Sequence, residues 1–124
     1  MATIVDFKEL IVWQKSHQLV LMVYKISSKF PKEELFALTN QLKRASVSIP
    51  ANIAEGFQKK TYPHRAQYIS HSEGSLNEVI YYVLLAKDLS FISENDFTEL
   101  NNICIEVGKL LTAYQKTIKN YHTK

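Results

Sequence analysis

Apolar residues recur by threes and fours along nearly the whole chain, a spacing that predicts helices and no strands. Leu10, Trp13, His17, Val20 and Tyr24 form one stripe of a first helix over about Phe7 to Ser28, after a short lead-in from Met1 to Asp6. Val12, Leu19, Val23, Ile26 and Phe30 form a second stripe. Phe30-Pro31 ends this helix, because the residue before proline is pushed out of the helical region. A second helix then runs from about Lys32 to Gly56, with Leu38, Leu42, Ala45, Ile49 and Ile53 on its core face. Lys59 to Pro63 breaks the pattern, and Thr61 is placed to cap a third helix over about Pro63 to Leu89. Its core seam is Ile69, Ser72, Leu76, Val79, Val83 and Ala86. Ser93, with Asp96 three residues on, opens a fourth helix carrying Phe97, Leu100, Cys104, Val107, Leu111, Tyr114 and Ile118. Tyr121 to Lys124 is expected to fray.

Four helices joined by short turns predict an all-α fold, an antiparallel up-down-up-down four-helix bundle occupying residues 1–124 as one domain. Pro50 lies inside the second helix, leaves the Ser46 carbonyl without its amide partner, and predicts a kink there. Ser46, Ser48 and Asn52 are near enough to supply replacement hydrogen bonds. Leu19–Tyr24 and Val79–Ala86 are apolar on every side, and a helix of that kind must be covered on every side. In a small bundle that predicts a subunit interface.

Two polar stripes break the ordinary amphipathic scheme. Gln41, Arg44, Ser48, Asn52 and Glu55 run along the second helix; His71, Ser75, Glu78 and Tyr82 run along the third. We expect Arg44, Ser48, Asn52 and Glu55 to meet Ser75 and Glu78 in one structural network. Arg44 would be salt-bridged to one of the two glutamates and would fix helix or subunit register rather than add much stability. Gly56 either ends the second helix or permits a close crossing. Gly74, in mid-helix, costs about 1 kcal/mol against alanine and is expected to allow close backbone approach.

Composition changes little in this picture. With 124 residues the chain can bury a core without staples, and 3 glycines and 3 prolines argue against a loop-rich or all-β fold. A single cysteine, Cys104, has no intrachain partner, fits a reducing compartment and reads as a small buried hydrophobe. No secretory leader pattern opens the sequence, and no apolar run approaches the ~20 residues that span a bilayer, so a cytoplasmic protein without membrane contact is expected. The net charge of +3 is mild, but Lys43, Arg44, Lys59, Lys60 and Arg65 face only Glu55 between positions 43 and 65. Lys43, Lys59, Lys60 and Arg65 are therefore the candidate contacts to a polyanion, against the plainer reading of solvated helix faces.

Catalytic patterns are weak. No phosphate-binding glycine loop is present, His64 and His71 lie two turns apart with no further ligands, and no metal or cofactor is expected. Arg65 and His71 match the Arg-x5-His spacing of ribonucleases built on small helical bundles, where histidine would move protons and arginine would hold phosphate. On an ideal helix, though, they point about 240° apart.

The residues collected so far carry a resemblance. Phe7, Leu10, Val12-Trp13-Gln14-Lys15, Phe30-Pro31 with Glu34, the run Gln41-Leu42, Arg44-Ala45, Ser48-Ile49-Pro50, Asn52-Ile53-Ala54-Glu55-Gly56, and Gly74-Ser75 with Glu78 resemble the 23S rRNA-intervening-sequence proteins. The resemblance implies an antiparallel four-helix bundle, and related members form five-membered rings. Some of the genes lie in segments inserted into large-subunit rRNA genes. A distant branch, accessory to diversity-generating retroelements, binds nucleic acid and partners a reverse transcriptase; the signature here is that of the intervening-sequence branch, and the partnership does not carry over. The expectation is a non-enzymatic homo-oligomer, a pentamer by resemblance, that binds RNA or DNA through a basic surface. The alternatives are a protein-interaction scaffold without nucleic-acid binding and a ribonuclease using Arg65 and His71.

Overall fold

The computed structural model describes the backbone of residues 4–123 and the side chains of residues 4–120. Four long helices make up the fold: α1 (Ile11–Ser27), α2 (Asn40–Phe57), α3 (Tyr62–Asp88) and α4 (Glu94–Thr123). Among the described residues there is no strand. Local signals account for most of the boundaries. The Thr61 hydroxyl accepts from the His64 amide at 3.4 Å and Pro63 sits in the first turn of α3. The Ser93 hydroxyl accepts from the Asp96 amide at 3.1 Å at the head of α4. The Asp96 carboxylate does not turn back to complete a capping box; it meets Lys29 Nζ at 3.1 Å. At the end of α3, Ser90 adopts φ 63°, a left-handed position usually given to glycine.

Two helix starts differ from the periodicity. Phe7–Glu9 form a separate 3-10 turn, because Asp6 caps the Lys8 amide while the Glu9 carboxylate accepts from the Val5 and Asp6 amides. Leu10 is then extended and α1 begins at Ile11. Lys32–Thr39 is not the first part of α2. It is a 3-10 turn followed by a π-turn, with non-helical backbone at Ala37 (φ −119°, ψ −107°). The Glu34 carboxylate accepts from the Leu38 amide at 3.4 Å, substituting for a helical backbone bond. That break buries Leu38 and Thr39 while leaving Phe36 89% exposed. α2 itself continues through Pro50. The hydroxyls near the proline serve other carbonyls than that of Ser46: Ser46 donates to Lys43 O, and Ser72 of α3 donates to Ile49 O.

Leu19, Val23, Leu42, Ile49, Ile53, Ile69, Val79, Leu100, Val107 and Leu111 are fully buried in one core, with Cys104 among them. Each such side chain contributes about 1.5–3 kcal/mol, so this core and not the few surface ion pairs holds the bundle together. Contacts between helices run in opposite senses along each pair. Ser48 meets Ser75 while Gly56 meets Tyr68 across α2–α3. A Cβ on Gly108 would touch Leu76 while Arg65 reaches Tyr114 across α3–α4. Lys15 of α1 pairs with Glu106 of α4, and Lys29, just past the end of α1, with Asp96 near the start of α4.

The closest approach is at Gly56. A Cβ there would lie 2.7 Å from Tyr68 Cβ, so only glycine fits without a shift. Gly74 differs from the expectation. A Cβ at that position would meet nothing within 4 Å, because it faces open space rather than a neighbouring helix.

Candidate functional site

The two polar stripes do come together, across the groove between α2 and α3. Ser75 Oγ donates to Ser48 Oγ at 2.9 Å. The Asn52 amide nitrogen donates to Ser48 O at 2.8 Å and to Ser48 Oγ at 3.0 Å. Ser72, one turn before Ser75 on the same side, is fully buried against the α2 backbone. Small hydroxyls at these positions allow the helices to approach closely and then bond to one another. Above this floor the groove opens into a cleft of about 560 Å³, lined among others by Ser48, Asn52, Tyr68, His71, Gly74 and Glu78. It continues toward Gln41 and Arg44 along the same two helices.

The charged members of the expected network do not close. Arg44, Glu55 and Glu78 are all exposed. Among the described residues the ion pairs are Lys8–Asp6, Lys15–Glu106 and Lys29–Asp96, so Arg44 bridges neither glutamate within the chain. Arg44 and Glu78 stand on different helices at the rim of an open groove, where water solvates both heads and a long side chain has little reason to be held. Gln41 is likewise exposed beside them. The network is thus an uncharged core of Ser48, Asn52 and Ser75 with charges at its margin.

The four candidate basic residues separate. Lys43 extends over the Tyr24 ring of α1, 4.8 Å from its centre. Lys59 lies 5.4 Å from the Tyr68 ring, and Lys60 beside it is exposed. Arg65 turns away from this corner. Its Nη2 is 3.3 Å from the Tyr114 hydroxyl and its head lies 5.8 Å from the Phe57 ring, while Nε is buried without a partner. It lines a mostly apolar hollow with Leu10, Phe57 and Ile118, so it is not a surface phosphate contact in this conformation.

Two residues gained weight that their sequence positions did not give them. Tyr68 sits between His64 and His71 on α3, with ring centres 5.8 Å and 6.1 Å away. The spacing i, i+4, i+7 of three rings was readable, but the cleft that Tyr68 and His71 line was not. Gly74 is the other.

Catalytic geometry is not assembled around the candidate pair. α3 is unbroken between Arg65 and His71, and the two line different hollows. Among the described residues no group of three or more His, Cys, Asp or Glu could hold a metal ion. Burial pushes the Cys104 thiol up to about 12, which keeps it protonated and unreactive. His17 is exposed and stacks on Trp13, ring centres 5.1 Å apart. No described helix is long and apolar enough to cross a membrane.

Comparison with known proteins agrees with this architecture. The family description "23S rRNA-intervening sequence protein" matches residues 8–113. A crystal structure from Bacteroides thetaiotaomicron, of a protein with unknown function from the S23 ribosomal protein family, superposes with a TM-score of 0.79 at 24% identity. The alignment covers 86% of this chain and 96% of that one, and establishes a shared fold. Curated proteins give no match.

Proposed function

The chain belongs to the 23S rRNA-intervening sequence protein family, and from that premise we propose that it is a non-enzymatic, self-assembling bundle that binds RNA or DNA through a basic surface. The α2–α3 corner carries this reading. From Gly56 to Ser72 the chain has no acidic residue, and Lys59 and Lys60 are the cations at this corner, Arg65 being turned away toward Tyr114. Lys59 stands over the Tyr68 ring with Lys60 exposed beside it. Ammonium groups interleaved with aromatic rings suit a phosphodiester backbone with adjacent bases.

Two lysines bind phosphate weakly, and repetition of the corner in an assembly makes up the deficit. Support for assembly comes from the apolar runs in α1 and α3. The bundle buries Leu19, Val20 and Val23 but leaves Leu21 57% exposed and Tyr24 46% exposed, next to exposed Val47. On α3, Ile80, Tyr81 and Leu84 are exposed as well. Two unlike patches favour head-to-tail contacts, which close into rings. We take the ring to be the five-membered one that the resemblance implies, and assign it to the cytoplasm, where the lone cysteine stays reduced.

Light scattering should give a mass several times the 14.3 kDa of one chain. Titration with a large-subunit rRNA fragment should give affinity that falls linearly in log–log form with salt, and a Lys59→Ala/Lys60→Ala double variant should flatten that slope. Affinity indifferent to salt, or no binding at low salt, would leave a protein scaffold instead.

A further inference from the structure

Gly74 lies deep inside α3, where glycine costs about fivefold in local helix equilibrium against alanine. No group of the chain needs it to be small, since a Cβ there would meet nothing within 4 Å. What the missing side chain does preserve is the open cleft it lines with Ser48, Asn52, Tyr68, His71 and Glu78.

The chemistry of that cleft is graded from end to end. At one mouth Lys59 lies over Tyr68 and Lys60 is free in solvent. Along one wall run the rings of Tyr68 and His71, edge-to-face at 74°, with His64 beyond Tyr68 and outside the cleft. The floor is hydroxyl and amide, and Glu78 stands at the far rim, where the groove continues toward Arg44. Asn52 spends both amide hydrogens on Ser48, so its carbonyl oxygen is what it offers a ligand. Glu78, ionised, can only accept. The cleft therefore presents acceptors and a π-face inside, with positive charge outside.

We propose that this cleft receives one unpaired base of a single-stranded nucleic acid, stacked on the exposed His71 ring with Tyr68 at its edge. Its exocyclic amino group points to Asn52 and Glu78, and its phosphates lie at Lys59 and Lys60. The inference rests on the nucleic-acid reading above and narrows it. The Glu78 carboxylate repels phosphate, so the phosphates are directed toward Lys59 and Lys60. Adenine, cytosine and guanine carry the amino donor that these acceptors want; uracil and thymine present carbonyls there instead. A base inside a duplex is already stacked and paired, and cannot enter.

The test uses the full chain, at one low salt concentration, in anisotropy titrations with labelled strands of about 20 nucleotides. The probes are an A/C single strand, a U single strand and a duplex containing the A/C strand. Gly74→Leu fills the cleft with a better helix former, and His71→Ala removes an exposed ring; light scattering follows the mass of each variant. The A/C strand should bind tighter than either other probe. Both variants should weaken it on the order of tenfold, with duplex affinity and mass unchanged. Equal affinity for all three probes, untouched by the variants, overturns the base-binding cleft and leaves the broader nucleic-acid reading standing. No binding by any probe overturns both. A change of mass in either variant makes the cleft a subunit contact and overturns the proposal.

Discussion

The α2–α3 and α1–α4 sides of the bundle are held in different ways. Across α2–α3 the backbones come close enough that Gly56 has no room for a Cβ, and Ser48, Ser72 and Ser75 bond across the gap. Across α1–α4 the apolar seam is flanked by Lys15–Glu106 and Lys29–Asp96 at 3.2 Å and 3.1 Å, both at the surface. The first arrangement tolerates few residues at few positions; the second would work with many. The run from Gln41 to Gly56, which carries the family resemblance, lies on the strict side, while α4 reads as a generic amphipathic helix. Strictness at Gly56 is structural, however, whereas openness at Gly74 has no structural beneficiary in the chain.

If that contrast is right, substitutions should rank by how closely the backbones approach. Gly56→Ala forces its Cβ against Tyr68 Cβ, the stem of that side chain and not a flexible tip. It should destabilise by about 1–3 kcal/mol in chemical denaturation despite the better helix propensity of alanine. Ser72→Ala removes a buried hydrogen bond to Ile49 O and should cost about 1 kcal/mol. Lys15→Ala, on the permissive side, should cost no more than about 0.5 kcal/mol, and less at high salt. A Lys15 effect equal to that of Ser72 would erase the distinction.

At neutral pH the smallest effect belongs to Cys104 on the α4 seam. Its thiol is raised from 9.0 to about 12 by burial, so the unfolded chain loses this proton first as pH rises. The contribution is fully present below about pH 9 and is lost progressively between about 9 and 12. A disulfide exchange reagent at neutral pH should leave the native thiol unmodified and label it once the chain is unfolded. Rapid labelling of the native protein would show that the seam opens.

Much of the fold was legible because its signals are local. Periodicity gave the four helices, and Thr61 and Ser93 gave the starts of two of them. The start of α2 was hidden because the Glu34 side chain replaces a backbone bond, and nothing in a hydrophobic pattern records that exchange. Within the site, Ser48, Asn52 and Ser75 were readable as facing stripes. That Arg44 bridges neither glutamate could not be read from spacing, since whether two charges meet depends on the width of the groove between them. Arg65 was assigned to the surface by charge alone, although its long stem lets the head lie against Phe57 and Tyr114. The two glycines looked alike in sequence and behave oppositely, because only the neighbouring helix decides which one is crowded.

Gly74→Ala tests the central claim most directly, by measuring stability and single-strand affinity on the same preparation. The account predicts a gain of about 1 kcal/mol in unfolding free energy, from helix propensity alone, together with weaker binding of an A/C strand. Greater stability with unchanged affinity would contradict it, and would leave the open cleft without a use.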